Sequence, residues 1–285
     1  MRVHAVSDIH ADYPANLKWV MQLSEQDFRE DVLVLAGDIS DDLALVERVL
    51  KVCVDRFADV LFVPGNHDFW VQRGEHDCSL DKHEALRSLC RECDVGVDFF
   101  SKEHVLFAPL LSWYDFSFGS IDRKLRLGWR DFQACRWPES LAEPQALADH
   151  FHSLNEPIID QVQIARASLQ ERGVEPILIS CSHFVPNIDL MPSWIPASRR
   201  NVYPVLGSAA LGEQVTGIAP DIHIYGHSHV NQVRKVGNTC YINNAFATPQ
   251  ESRIAAKQLC CVYDNADPDV IPRLLEMSER GGLWR

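Results

Sequence analysis

Leu61-Phe62-Val63-Pro64-Gly65-Asn66-His67-Asp68-Phe69-Trp70 is the stretch on which the reading of this chain turns. An apolar, β-compatible run from Val60 to Val63 stops at Pro64-Gly65, and three polar side chains follow before the chain turns apolar again. A buried strand ending this way presents Asn66, His67 and Asp68 at its C-terminal edge, where α/β sheets bind their ligands. Asn is an unusual metal ligand, because its neutral amide oxygen donates only modestly. It makes sense beside carboxylate and imidazole, and the flanking sequence supplies both at the ends of other strands.

Upstream, Val3 to Val6 reads as a strand running into Ser7-Asp8-Ile9-His10. Asp8 and His10 are two residues apart and share a side in extended backbone. A carboxylate and an imidazole on one side make half a metal site; the same pair equally suits an Asx-type turn with an incidental histidine. Pro14 to Leu23 is predicted to be a helix with Pro14 at its start. Val32 to Ala36 is a second continuous apolar strand, as expected where both sheet faces are covered. It ends in Gly37-Asp38, with Asp41 and Asp42 just beyond. Carboxylates of Asp8 and Asp38 in one pocket would repel strongly unless a cation lay between them. With a helix over Leu43 to Phe57, the order is βαβαβ, parallel and right-handed. No Gly-x-Gly-x-x-Gly follows the first strand and there is no P-loop, which argues against a dinucleotide-binding fold.

Downstream, Leu80 to Cys93 is predicted helical and Val105 to Leu111 extended. Ser112 to Pro138 then carries Trp113, Tyr114, Phe116, Phe118, Trp129, Phe132 and Trp137 among Arg123, Lys124, Arg126, Arg130 and Arg136. Such a stretch can grip a phosphate and stack a ring, or form a lid-like insertion whose aromatics are its own core. A helix over Asn155 to Arg172 precedes a strand, Pro176 to Ser180, that runs into His183. His223 to Tyr225 leads into Gly226-His227-Ser228-His229, two histidines flanking one residue. Val230 to Val236 and Thr239 to Ile242 read as a hairpin turned at Gly237-Asn238, and Gln258 to Tyr263 gives one more strand.

With 285 residues and no linker-like segment, one domain over 1–285 is expected. No apolar run approaches the roughly 20 residues of a membrane span, and MRVHAVSDIH lacks a signal-peptide layout. A net charge of −13 argues against a broad nucleic-acid footprint and against anionic lipid. Nine cysteines, an odd number, suit buried thiols in a reducing, cytoplasmic setting. Cys90 and Cys93, with no second pair, read as chance spacing on a helix.

Taken in order, Asp8-Ile9-His10, Gly37-Asp38, Gly65-Asn66-His67-Asp68, His183 and Gly226-His227-Ser228-His229 resemble the signature of the calcineurin-like metallophosphoesterases. The resemblance implies an α/β fold, a four-layer αββα sandwich of two mixed sheets. It implies two transition-metal ions (Mn, Fe or Zn), with Asp8, His10 and His229 on the first, Asn66, His183 and His227 on the second, and Asp38 bridging. It further implies that a metal-activated hydroxide attacks a phosphoester while His67, outside the metal set, assists the leaving oxygen. Asp41 matches the carboxylate that pairs with this histidine, with Asp42 adjacent. Ser7-Asp8-Ile9-His10 and the lack of Arg-Gly after Asp41 depart from the protein-phosphatase branch. Asn66-His67 departs from the Asn-Arg of lipid-precursor hydrolases. A small soluble phosphomonoester or phosphodiester is the expected substrate. The alternative is a metal-bearing binding scaffold without turnover, which the presence of His67 disfavours.

Overall fold

A computed structural model of the chain describes residues 1–74 and 76–279. Its strands are β1 (Arg2–Val6), β2 (Val32–Ala36), β3 (Asp59–Val63), β4 (Phe100–Lys102), β5 (Val105–Pro109), β6 (Ile177–Cys181), β7 (Ile222–Tyr225), β8 (Gln232–Val236), β9 (Thr239–Asn243) and β10 (Cys260–Asp264). Its α-helices are α1 (Pro14–Met21), α2 (Leu43–Val54), α3 (Ser79–Glu92), α4 (Arg123–Gly128), α5 (Asp131–Ala134), α6 (Pro144–Ser153), α7 (Glu156–Glu171), α8 (Ala209–Ile218) and α9 (Val270–Glu279).

The strands form two mixed sheets. One has the order β10-β1-β2-β3, parallel except for β10. The other has the order β4-β5-β6-β7-β9-β8, parallel through β5, β6, β7 and β9 with antiparallel edges. Successive side chains of a strand point to opposite faces, so every central strand must be apolar throughout to be covered twice. Val32 and Val34 of β2 join Val105, Phe107, Ile179 and Ile224 in a core between the sheets. Leu33 and Leu35 face the other way, onto Val46, Val49 and Leu50 of α2 and Leu86 of α3. Leu106, Leu178 and Tyr225 on the far face of the second sheet pack with Phe151, Val162 and Leu211 of α6, α7 and α8. The layers are therefore helix, sheet, sheet, helix, as the resemblance implies.

The local signals acted as expected. Asp42 caps α2 by accepting from Ala44 N–H at 2.9 Å, and the hairpin turns at Gly237 in left-handed conformation. Several elements end one to three residues early; the helix expected to reach Phe57 stops at Val54. Helices α6, α8 and α9 and the edge strand β4 are additions to the sequence reading. Cys90 and Cys93 lie at the end of α3, buried in its contact with α2 and the first sheet. Within Ser112–Pro138, Trp113 and Tyr114 are buried in the core outside the second sheet, and Trp129 and Trp137 pack against it. Arg123, Arg126 and Arg130 are exposed.

Candidate metal centre and active site

The sheets bring their strand ends to one place. Asp8 follows β1, Asp38 follows β2 and Asn66 follows β3; His183 follows β6, and His227 and His229 follow β7. The turns carrying them are stitched together through the backbone. Asp8 N–H donates to Gly37 O at 2.8 Å, His10 N–H to Asp38 O at 3.0 Å and Gly226 N–H to His183 O at 2.9 Å. Asp8, His10, Asp38, His227 and His229 all have positive φ, between 46° and 64°. That region is uncommon for residues with a Cβ and costs on the order of 1–3 kcal/mol each. Asp8 and His10 thus converge from left-handed backbone rather than from the extended strand that the sequence reading assumed. Close approach is permitted by glycine: a Cβ on Gly65 would stand 2.3 Å from Asp38 Oδ1, and one on Gly37 2.4 Å from His183 Nδ1.

Three groups among the described residues could hold a cation, and two of them are built mainly from the strand-end residues. Donor atoms of Asp38, His183 and His227 lie within 4.8 Å of one another. His183 Nδ1–H donates to Ala36 O at 2.8 Å and His227 Nε2–H to Val205 O at 3.0 Å. A carbonyl can only accept, so the opposite nitrogens, His183 Nε2 and His227 Nδ1, carry lone pairs. These two nitrogens are 3.1 Å apart, and Asn66 Oδ1, another acceptor, is 3.2 Å from His183 Nε2. Asp38 Oδ1 lies 3.5 Å from the same nitrogen. Converging lone pairs with a carboxylate are the donor set of a borderline transition-metal ion, so the residues fit a cation. Burial, then His183, pushes His227 down to about 3, which keeps it neutral.

Asp8, His10 and His229 form the second cluster. His229 Nε2 is 3.2 Å from Asp8 Oδ1 and 3.1 Å from His10 Nε2. Its Nδ1–H donates to Glu251 at 2.8 Å. Burial opposes charge on His229, yet Asp8 and Glu251 together raise it to about 10. A proton there meets the same demand for positive charge that a metal ion would. Burial and the carboxylates of Asp8 and Asp68 push Asp38 well above the usual carboxylate range, a crowding of acids that a cation between them would relieve.

A family model described as calcineurin-like phosphoesterase matches residues 1–231. The chain belongs to that family. It is 27% identical over 127 residues to the [acyl-carrier-protein] phosphodiesterase PptH of Mycobacterium tuberculosis (strain ATCC 25618 / H37Rv). That match spans 40% of this phosphoesterase and 38% of the length of PptH. The crystal structure of the phosphopantetheinyl hydrolase PptH superposes with a TM-score of 0.70 at 18% identity, covering 94% of this chain and 97% of that one, which establishes the shared fold.

The remaining sequence-derived residues of this phosphoesterase fall as follows. His67 lies flat against Trp70, ring centroids 3.6 Å apart, with its Nε2 3.7 Å from Asp38 Oδ2. Its ring also converges with His10 and Asp38 as a third possible ligand group. Asp41 does not pair with His67; its carboxylate accepts from Arg73 Nη2 at 2.7 Å and Nε at 2.9 Å. Asp42 caps α2. Arg73, six residues past His67, reaches back over Asp41 and Asp12 and claims the carboxylate.

Two residues escaped the sequence reading, and a third, Asp68, was named in the motif without a role. Asp68 accepts N–H bonds from Asp38 and Gly65 at 2.8 Å, Ile39 at 3.1 Å and Ser40 at 3.3 Å, tying the β2 and β3 loops together. Burial raises it to about 6 against these bonds. Glu251 backs His229, and Asp131 backs Asn66 at 2.8 Å. A carboxylate next to the Asn-His motif was the available signal for Asp68; nothing local marks the other two.

Proposed function

We propose that the protein hydrolyses a small soluble phosphodiester at a pair of transition-metal ions, Mn, Fe or Zn. Asp8, His10 and His229 would hold one ion, Asn66, His183 and His227 the other, and Asp38 both. The observation that carries this reading is the convergence of His183 Nε2, His227 Nδ1 and Asn66 Oδ1 as lone-pair donors around Asp38. When bound, the ions supply Lewis-acid activation of the phosphate and of the attacking water. His67 supplies the proton. With its side chain 28% exposed, against 19% for His229 and 0% for His183, it is the imidazole open to an arriving ester. Burial, then His10 and His183, depresses its pKa. An anionic phosphate beside the ring favours the imidazolium again. As the P–O bond breaks, the leaving oxygen takes the Nε2 proton. His67 Nε2 is kept near Asp38 by its own backbone N–H, which donates to Asp38 Oδ1 at 2.9 Å.

The diester choice is supported by the phosphodiesterase named among the relatives, and a monoester is the other outcome. All nine cysteines are free thiols, which supports a cytoplasmic setting. Among the described residues no helix is long and apolar enough to cross a membrane. The test compares p-nitrophenyl phosphate with its bis ester, Mn²⁺-loaded and after chelation. Faster, chelator-sensitive cleavage of the bis ester is expected. Faster cleavage of the monoester would reverse the diester choice, and cleavage of neither would favour a binding scaffold.

A further inference from the structure

Asp131 opens α5, is 3% exposed and accepts three side-chain N–H donors. Asn66 Nδ2 donates to Oδ1 at 2.8 Å, Trp70 Nε1 to Oδ1 at 2.7 Å and Trp129 Nε1 to Oδ2 at 2.8 Å. Each donor belongs to a different part of the site. Asn66 is the amide of one ligand cluster, Trp70 is the surface on which His67 lies, and Trp129 meets the His227 ring edge-on at 5.9 Å. We propose that Asp131 is a positioning residue that fixes the Asn66 amide with Nδ2 outward and Oδ1 into the pocket, and so sets the affinity of one ion position. The proposal rests on the two-ion reading above.

The chemistry is that of a group with two nearly isosteric ends. A side-chain amide rotated by half a turn presents NH₂ where its oxygen stood, and NH₂ cannot ligate a cation. An ionised carboxylate is acceptor-only, so Asp131 can bind the NH₂ end and rejects the oxygen. Asn at position 131 could donate from the Oδ1 site to a rotated Asn66, although Trp70 Nε1–H would then lose its acceptor, so the preference for one orientation is weakened. The segment around 131 thereby acts on the pocket through an acid and one indole, Trp129, rather than through its exposed arginines. Partners of this kind typically alter metal affinity by about 10–100-fold.

The test is calorimetric titration of the full-length, metal-stripped protein with Mn²⁺. Wild type should show two binding steps. Asp131→Asn should weaken one of them by about 10–100-fold and leave the other unchanged. Asn66→Ala should weaken the same step, and adding Asp131→Asn to Asn66→Ala should produce no further loss. Two unchanged steps, or two steps weakened alike with a fall in Tm, would overturn the proposal and leave Asp131 a staple for α5. A wild-type protein that binds no Mn²⁺ would instead contradict the two-ion reading. Should Asp131→Asn fail to fold by circular dichroism, Asp131→Ser is titrated, with the same selective loss expected and the same contrary results.

Discussion

The Asp38–His183–His227 cluster is sealed, whereas the Asp8–His10–His229 cluster opens on one side. His183 and Asp38 side chains are 0% and 1% exposed, and the imidazoles of the sealed cluster are held from behind by backbone carbonyls. In the open cluster His229 is 19% exposed and is held by Glu251, itself 32% exposed. A buried backbone carbonyl cannot titrate; a partly exposed glutamate can titrate and move. The two ions proposed to share Asp38 therefore need not be held alike, and the one at the open cluster is expected to exchange first.

The largest effect expected is from Asp38→Asn, which removes the carboxylate proposed to serve both ions. Turnover should be abolished, and elemental analysis should show loss of both ions. Loss of a single ion would mean that the clusters are independent. Next comes His67→Ala. If His67 stands outside both clusters, steady-state kinetics should show kcat lowered by about 10²–10⁴-fold with metal content unchanged. Metal loss in this variant would instead make the His10–Asp38–His67 group a ligand set.

Glu251→Gln probes the asymmetry itself. Removing the charge behind His229 should weaken the open position by about 10–100-fold and spare the sealed one, as read by Mn²⁺ titration. Equal weakening of both would erase the distinction drawn here. The smallest effect concerns the rim. Arg130 Nη2 donates to Gln72 Oε1 at 2.5 Å, and Arg123 and Arg126 are exposed near it in sequence. At least one of the three Arg→Ala variants should raise KM for a physiological phosphodiester about tenfold, the value of one charge-assisted hydrogen bond. Unchanged kinetics in all three would reduce Ser112–Pro138 to a structural cover.

What could be read from the sequence was what is encoded locally. The parallel strands are largely apolar runs, interrupted by His4 in β1, Ser180 in β6 and His223 in β7, and Gly-Asp, Gly-Asn-His and Gly-His-x-His sit directly at strand ends, so the candidate ligands and the layer order were visible. Asp131 and Glu251 were not, because their partners lie 65 and 22 residues away and a lone acid carries no mark of its target. The Asp41–His67 pair failed for a related reason: position in a motif gave the carboxylate, but Arg73 arrives from a later loop and binds it. Left-handed backbone at five candidate ligand positions was also hidden, since Asp and His at a strand end look extended on paper. Helices α6, α8 and α9 cover the sheets without chemistry of their own, and the start signals of two of them, Pro144 in α6 and the Ser208 cap of α8, went unread.

The central claim is tested most directly by counting metal in the wild-type protein after Mn²⁺ loading and gel filtration. The account predicts about two equivalents per chain, one exchanging faster than the other. A protein that retains no metal, although folded, would contradict it.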